Sequence, residues 1–380
     1  MTAHNPYNER IKRQYFAYLK EAKRYSLKEA KRYSEATVDA VAKALSRFES
    51  DTKFRDFKTF HFEQAVAFKN RLAEQESEVS GDKLSKATLH STLADLKRFF
   101  QWLAGQPGYK SGLRYCDAEY FNLSDKDTRV GTARREKNFP TIEQVRHVIS
   151  TMPNESEIDR RNRALIAFTL LTGARDSAIA SMKLKHVDLV AGSVYQDARD
   201  VKTKFSKTFT TFFFPVGDDV QQIVADWVNY LRQVKLWVND DPLIPATQVA
   251  VGKEFRFHVV GLRRKRWSNA TPIRQIFRNA FAAASLPYSN PHSLRKTLVQ
   301  LGETVCHTPE EFKAWSQNLG HEEVLTTFRS YGAVGTRRQG EIIRDLAKPQ
   351  QTGQSDVAEM IGKAVARELV SHPLFKPNSK

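Results

Sequence analysis

Residues 164–171 read ALIAFTLL. A helix that is apolar on every face has no side to offer water, so other elements must surround it. The chain therefore has to build a domain around a central buried helix. The run breaks at Thr172-Gly173, and Arg175 follows two residues later. An arginine just beyond such a helix, after a Thr-Gly turn, can aim its guanidinium into a cleft.

The surroundings of that helix can be read in both directions. Thr141-Ile142-Glu143-Gln144 fits a capping box ahead of an apolar-periodic helix, so a domain starts at 141. Ser193–Gln196 and Thr208–Phe214 have strand character and flank the lysine-rich turn Val201–Lys207, which predicts a small antiparallel sheet. Helices resume from Val220. Leu262–Trp267 (LRRKRW) is a basic cluster that can grip phosphates or stack on the backbone, or else a solvated loop. Thr308-Pro309-Glu310-Glu311 starts another helix, which should stop at Gly320.

Residues 1–123 read as helical throughout. Val38, Val41, Ala42, Leu45 and Phe48 fall at helical spacing, as do Leu89, Leu93, Leu96, Phe99, Phe100 and Leu103. The heptapeptide KEAKRYS occurs at 20–26 and again at 28–34, too short a repeat for a solenoid. Residues 124–140 lack periodicity and read as a linker, with Arg129, Arg134, Arg135 and Lys137 either along a backbone groove or simply solvated. Beyond 345, a polar stretch precedes Asp356–Val370, where Val357, Ile361, Val365 and Leu369 share one face. The expected layout is a helical domain at 1–123, a linker at 124–140, a second domain at 141–345 and a tail with a helix at 346–380. The expected fold class is mainly α with a small antiparallel β-sheet.

Charge narrows the partners. Sixty Lys+Arg against 43 Asp+Glu leave a net charge of +17, which favours a polyanion such as nucleic acid. No run approaches a membrane span, and the polar start of the chain carries no secretory signal, so a cytoplasmic, nucleoid-associated protein is expected. Cys116 and Cys306 cannot form a disulfide framework or a cysteine-based zinc site. No carboxylate cluster stands out as a magnesium site, and no cofactor or metal is expected.

Five segments carry chemistry-bearing residues in order. They are Thr172-Gly173-Ala174-Arg175, the turn Val201–Lys207, His292-Ser293-Leu294-Arg295, Leu319-Gly320-His321, and Tyr331 ten residues after His321. Each is commonplace alone, and Tyr331 is one tyrosine of twelve. As an ordered set on a basic chain they resemble the tyrosine recombinases, or phage-type integrases. That resemblance covers about 141–340. It implies an α+β catalytic domain preceded by a helical core-binding domain, and a metal-independent DNA strand transferase working through a 3′-phosphotyrosine. It also implies a homotetramer on double-stranded DNA at specific sites, with accessory DNA-bending proteins as further possible partners. Integration or excision of a mobile element is the expected task. Type IB topoisomerase-like relaxation and a catalytically inactive DNA-binding relative are the alternatives.

The chemistry has a physical logic beside the resemblance. Arg175 and Arg295 can clamp the non-bridging oxygens as charge builds on phosphorus. Tyr331 is the expected nucleophile, His292 the base, and His321 a hydrogen-bond donor to the phosphate. The departing 5′ oxygen needs a proton, which a hairpin lysine can deliver. The family's Thr-Lys register points to Lys204, with Lys202 and Lys207 left open. Where many relatives carry an acidic residue three after the first arginine, this chain has Ala178, so Asp176 is a candidate orienting group. Lys296 stands where a second histidine is common. The tail helix is a candidate for exchange between protomers or for packing in cis.

Overall fold

The computed structural model describes residues 4–22, 35–76, 81–133, 138–251 and 256–321. The chain divides into two units, Met1–Arg135 and Glu136–Lys380. Among the described residues it is mainly helical, with a three-stranded and a two-stranded antiparallel sheet.

The first unit holds α1 (Pro6–Ala17), α2 (Glu35–Asp51), α3 (Phe62–Glu74), α4 (Lys86–Leu103) and α5 (Asp125–Thr132). The two apolar stripes meet in an aromatic core. Phe60 stacks on Phe100 with ring centroids 3.8 Å apart, and Phe48 meets Phe100 edge-on at 5.2 Å. Val38, Val41, Leu45 and Phe48 are buried as expected, but Ala44 takes the buried place expected of Ala42, which is only half-buried. A polar knot ties α1 to α2. Buried Asn8 donates through Nδ2 to Glu49 at 3.1 Å and to the Arg55 carbonyl at 2.9 Å, and accepts from the Phe57 N–H at 3.0 Å.

The 124–140 segment differs from the expected linker, because α5 occupies 125–132 and packs on α4. It shows no apolar stripe because it docks by other means. Gly131 lies so near the Lys86 carbonyl that a Cβ there would stand 2.8 Å away, and Lys86 pairs with Asp127 at 2.9 Å. Arg134, Arg135 and Lys137 lie outside the described residues, as does the KEAKRYS duplication beyond Ala22.

In the second unit, α7 (Glu157–Thr172) is the central helix, buried continuously from Ala164 to Thr172. It packs against α6 (Ile142–Thr151), α9 (Asp218–Asn229), α10 (Thr271–Ala283), α11 (Pro291–Val305) and the strand β5 (Phe257–Arg266). The capping box at Thr141 is formed, its hydroxyl accepting from Gln144 N and its N–H donating to the Gln144 side chain. The three-stranded sheet runs β1 (Val187–Asp188), β2 (Ser193–Gln196), β3 (Phe209–Phe212), with Val194 opposite Thr211.

The LRRKRW segment is not a loop. It lies largely within β5, which pairs with β4 (Pro245–Val251) in an antiparallel ribbon. Buried Arg161 of α7 anchors the ribbon's root, donating to the Pro245 carbonyl at 3.1 Å and to Thr247 Oγ1 at 2.9 Å. Its guanidinium also lies 4.9 Å from the centre of the Trp267 ring. Burial pulls the Arg161 guanidinium down to about 10. No described helix is long and apolar enough to cross a membrane.

Candidate active site

The Thr-Gly turn after α7 is built by its own residues. Thr172 Oγ1 donates back to the Phe168 carbonyl at 2.7 Å and accepts from the Ala174 N–H at 3.2 Å. Gly173 caps the helix in the left-handed region, with φ 58°. A Cβ there would meet the Leu319 side chain at 2.9 Å, so both conformation and space demand glycine. The chain then turns into α8 (Asp176–Ile179), with Arg175 as its N-cap.

Arg295 is the hub. It sits on α11, whose start is set by Pro291 at the first turn and by Asn290 accepting from Ser293 N at 3.1 Å. The residue is only 4 % exposed. Its Nη1 donates to the Gly173 carbonyl and its Nη2 to the Leu319 carbonyl. The two turns that flank the site, Thr-Gly and Leu-Gly-His, are thus tied together by one side chain. Burial, with the Arg175 charge nearby, pulls Arg295 down to about 9, which still leaves it cationic at neutral pH.

His321 lies 3.1 Å from Arg295 Nη2 through Nε2. A guanidinium only donates, so Nε2 must accept and the ring proton of the neutral imidazole sits on Nδ1. Burial pulls His321 down to about 4, helped by the charges of Arg295, Arg175 and Lys207, and by His292 when that ring is protonated. His292, three residues before Arg295 on α11, is lowered by burial and then by Arg295, Arg175 and Lys296, against the opposing pull of Asp176. Both imidazoles are therefore neutral at pH 7. Burial also lowers Arg175.

The Leu-Gly-His turn is held on the sheet. α12 (Pro309–Asn318) ends with the Asn318 side chain against the edge of β3. Its Nδ2 donates to the Phe212 carbonyl at 2.9 Å, and its Oδ1 accepts from the Phe212 N–H at 2.7 Å. Gly320 has φ +72°, and a Cβ there would stand 2.7 Å from the Phe209 ring.

A cleft of about 430 Å³ opens here, lined by Arg175, Asp176, Arg274, Tyr288, Asn290 and His292. Arg274 and Tyr288 were not singled out from the sequence. Arg274 pairs with Asp176 at 2.8 Å, and Arg278, one turn on, lies over the Tyr288 ring at 5.1 Å. Two arginines four apart on the exposed side of a helix were the available signal. Asp176 is thus engaged by Arg274, and it also accepts from the Ser177 N–H at 2.8 Å.

The lysines of the β2–β3 connection differ in placement. Lys204 is exposed, at the start of a tight turn in which Phe205 and Ser206 take left-handed backbone angles, with its ammonium 4.7 Å from the Phe205 ring centre. Lys207 is half-buried, and its charge reaches His321. Lys202 is exposed, with its backbone pinned to the α8 region. Arg175, His292, Arg295 and His321 come together, whereas Tyr331 and the tail helix lie outside the described residues.

The two neutral histidines make acid stability measurable. A folded-state value near 4 for His321 against an unfolded value near 6.5 means the unfolded chain takes up the proton first. The associated stability is complete above about pH 6.5 and is lost as pH falls towards 4. Allowing for partial exposure, the loss should be about 2 kcal/mol between pH 7 and 4.5. Urea midpoints should show it in the native chain and show a smaller part of it in His321→Gln. Equal pH slopes in the two would contradict the assignment.

The phage integrase family model matches residues 139–337. Tyrosine recombinase XerC of Lactobacillus delbrueckii subsp. bulgaricus is 22% identical over 251 residues, covering 65% of this chain and 72% of that protein. The structure of XerH site-specific recombinase bound to palindromic difH substrate, a post-cleavage complex, matches with TM-score 0.56 at 18% identity over 84% of this chain and 83% of the other. A lambda integrase tetramer bound to a Holliday junction matches with TM-score 0.54 at 13% identity, covering 87% of this chain and 78% of the other. With the family model spanning the buried helix, both glycine turns and the cleft between them, this chain belongs to the phage integrase family, the tyrosine recombinases.

Proposed function

We propose that the chain is a site-specific recombinase that cuts and rejoins double-stranded DNA through a 3′-phosphotyrosine at Tyr331, with integration or excision of a mobile element as its task. The observation that carries this reading is that two arginines, Arg175 and Arg295, lie near enough for their charges to repel, with His321 hydrogen-bonded to Arg295 and His292 beside Arg175 on the cleft wall. Two cations at one point repel each other and are stabilised by an anion between them. A pentacoordinate phosphorane carries more charge than the diester, so the pair favours the transition state over the ground state.

Neutral His292 is able to take the phenol proton as the Tyr331 oxygen attacks phosphorus. His321, protonated on Nδ1 and accepting from Arg295 at Nε2, has its tautomer fixed by the same guanidinium that holds the phosphate. The departing 5′ oxygen takes its proton from a lysine of the β2–β3 connection, with Lys204 as the residue chosen from the sequence. The phosphotyrosine keeps the energy of the broken diester, so a 5′ hydroxyl of a partner strand reseals it without an energy cofactor. The tetramer seen for lambda integrase on a Holliday junction supports the same assembly here.

A nicked, suicide-type substrate tests the reading. The full chain should form a covalent band through the 3′ phosphate at the cleavage site, at the same rate with and without EDTA. A strict requirement for a divalent cation, or a 5′-linked adduct, would contradict it. Relaxation of any supercoiled plasmid by monomers would favour a topoisomerase instead.

A further inference from the structure

The connection between β2 and β3 is fastened at its start by groups that the proposed chemistry does not use. Asp200 lies between two lysines of the 183–186 turn. Lys183 Nζ reaches its Oδ1 at 3.1 Å, and Lys185 Nζ its Oδ2 at 2.7 Å. Both ammonium groups also reach Asp240 Oδ1 at 3.0 Å. Those two lysines hold the Asp200 carboxyl down to about 2. Beneath them sits His186, 3 % exposed, with Nε2 3.7 Å from Asp200 Oδ2. The Lys183 N–H donates to His186 Nδ1 at 2.9 Å, which leaves the ring proton on Nε2, facing the carboxylate.

Two residues further on, the backbone of Lys202 is held on both sides. Its N–H donates to Ser181 Oγ at 2.8 Å, and its carbonyl accepts from Ser177 Oγ at 3.3 Å. Ser181 is itself buried and donates back to carbonyls of the helix at Ser177 and Ala178. Both serines lie in or just past α8, the helix capped by Arg175. The lysine-bearing connection and the first phosphate-clamping arginine therefore share one short, rigid support.

We propose that Ser181 and Asp200 are positioning residues, which fix the lysine-bearing connection to the α8 region and to the 183–186 turn just after it, so that the leaving-group lysine and Arg175 meet the same phosphate. This rests on the reading that a lysine of this connection is the acid. In that step the Tyr331 oxygen bonds to phosphorus and gives its proton to His292. The bond from phosphorus to the 5′ oxygen breaks as that oxygen takes a proton from the lysine ammonium, and the neutral lysine recovers it when a 5′ hydroxyl attacks.

A substrate with sulfur in place of the bridging 5′ oxygen separates positioning of the acid from everything else. A thiol has a pKa near 8.5, so its thiolate departs without a proton donor. Ser181→Ala and Asp200→Asn should each slow cleavage of the ordinary suicide substrate by about tenfold to a hundredfold, the cost of a misplaced group. On the sulfur substrate the same variants should stay within about threefold of the native rate, with DNA binding unchanged. Equal slowing on both substrates, or no slowing on either, would overturn the proposal. Lys202→Ala, Lys204→Ala and Lys207→Ala run alongside. If one of them shows the sulfur-rescued loss and the two positioning variants do not, the positioning role alone is overturned. If none shows it, the lysine reading is overturned, and the stated task of the support goes with it.

Discussion

Arg295→Lys is expected to slow strand cleavage by about 10²–10³-fold, although the charge is retained. The guanidinium donates to two carbonyls on two separate turns and to His321 at once. An ammonium is a point donor on a flexible stem and cannot span that geometry. At least one of the Gly173 and Leu319 carbonyls would be left buried without its donor, at a cost of about 1–3 kcal/mol. His321 would lose the bond that fixes its tautomer. The loss should therefore appear in two measurements, the single-turnover rate on a suicide substrate and the urea midpoint. A variant within about fivefold of the native rate would remove Arg295 from the centre of the site.

Tyr331→Phe is expected to abolish the covalent adduct, below about one part in 10⁴ of the native rate, while leaving DNA binding within twofold. The phenol is costly to activate. With a pKa near 10, the phenolate at pH 7 lies about 4 kcal/mol uphill, so only a tyrosine delivered to the cationic cleft beside a neutral base is usable. Phenylalanine at 331 has no oxygen with which to form that bond. An adduct that survives the substitution, mapped to a different tyrosine by peptide sequencing, would move the nucleophile elsewhere.

The parts of the fold legible in the sequence are those where burial imposes a period. The stripes of α4 and the all-apolar run of α7 are buried as read, because each lies against a core with no alternative. Capping boxes at Thr141 and Thr308 were legible for a local reason, since donor and acceptor are three residues apart. The β4–β5 ribbon was not. A two-stranded ribbon leaves much of its surface in water, and Val249, Val251, Val259 and Val260 are all exposed. No core enforces alternation there, and the run of arginine and lysine in β5 resembles a solvated loop. Helix α5 was hidden differently, because it docks through Gly131 and an ion pair rather than an apolar face.

The site divides along the same line. Arg175, His292, Arg295 and His321 each sit beside a local signal, a Thr-Gly turn, a helix start or a Gly stop. Choosing among Lys202, Lys204 and Lys207 has no such local signal. The connection that carries them is held at its start through Ser177, Ser181 and Asp200, whose partners lie 17 to 25 residues away in sequence. The cleft's Arg274, with Arg278 one turn on, was legible only as helix spacing, and the meaning of the pair depends on Asp176 and Tyr288 lying opposite.

The Asn318 amide has a consequence beyond fixing the Leu-Gly-His turn. Among the described residues β3 is an outer strand of its sheet, and an outer strand with open donors and acceptors is a template for a strand from another molecule. At Phe212 that slot is filled by a side chain that imitates a strand residue, one donor and one acceptor in the right places. The contact that seats His321 thus also closes the β3 edge at Phe212, so protection of that position from chain-to-chain strand addition lasts only while α12 is docked.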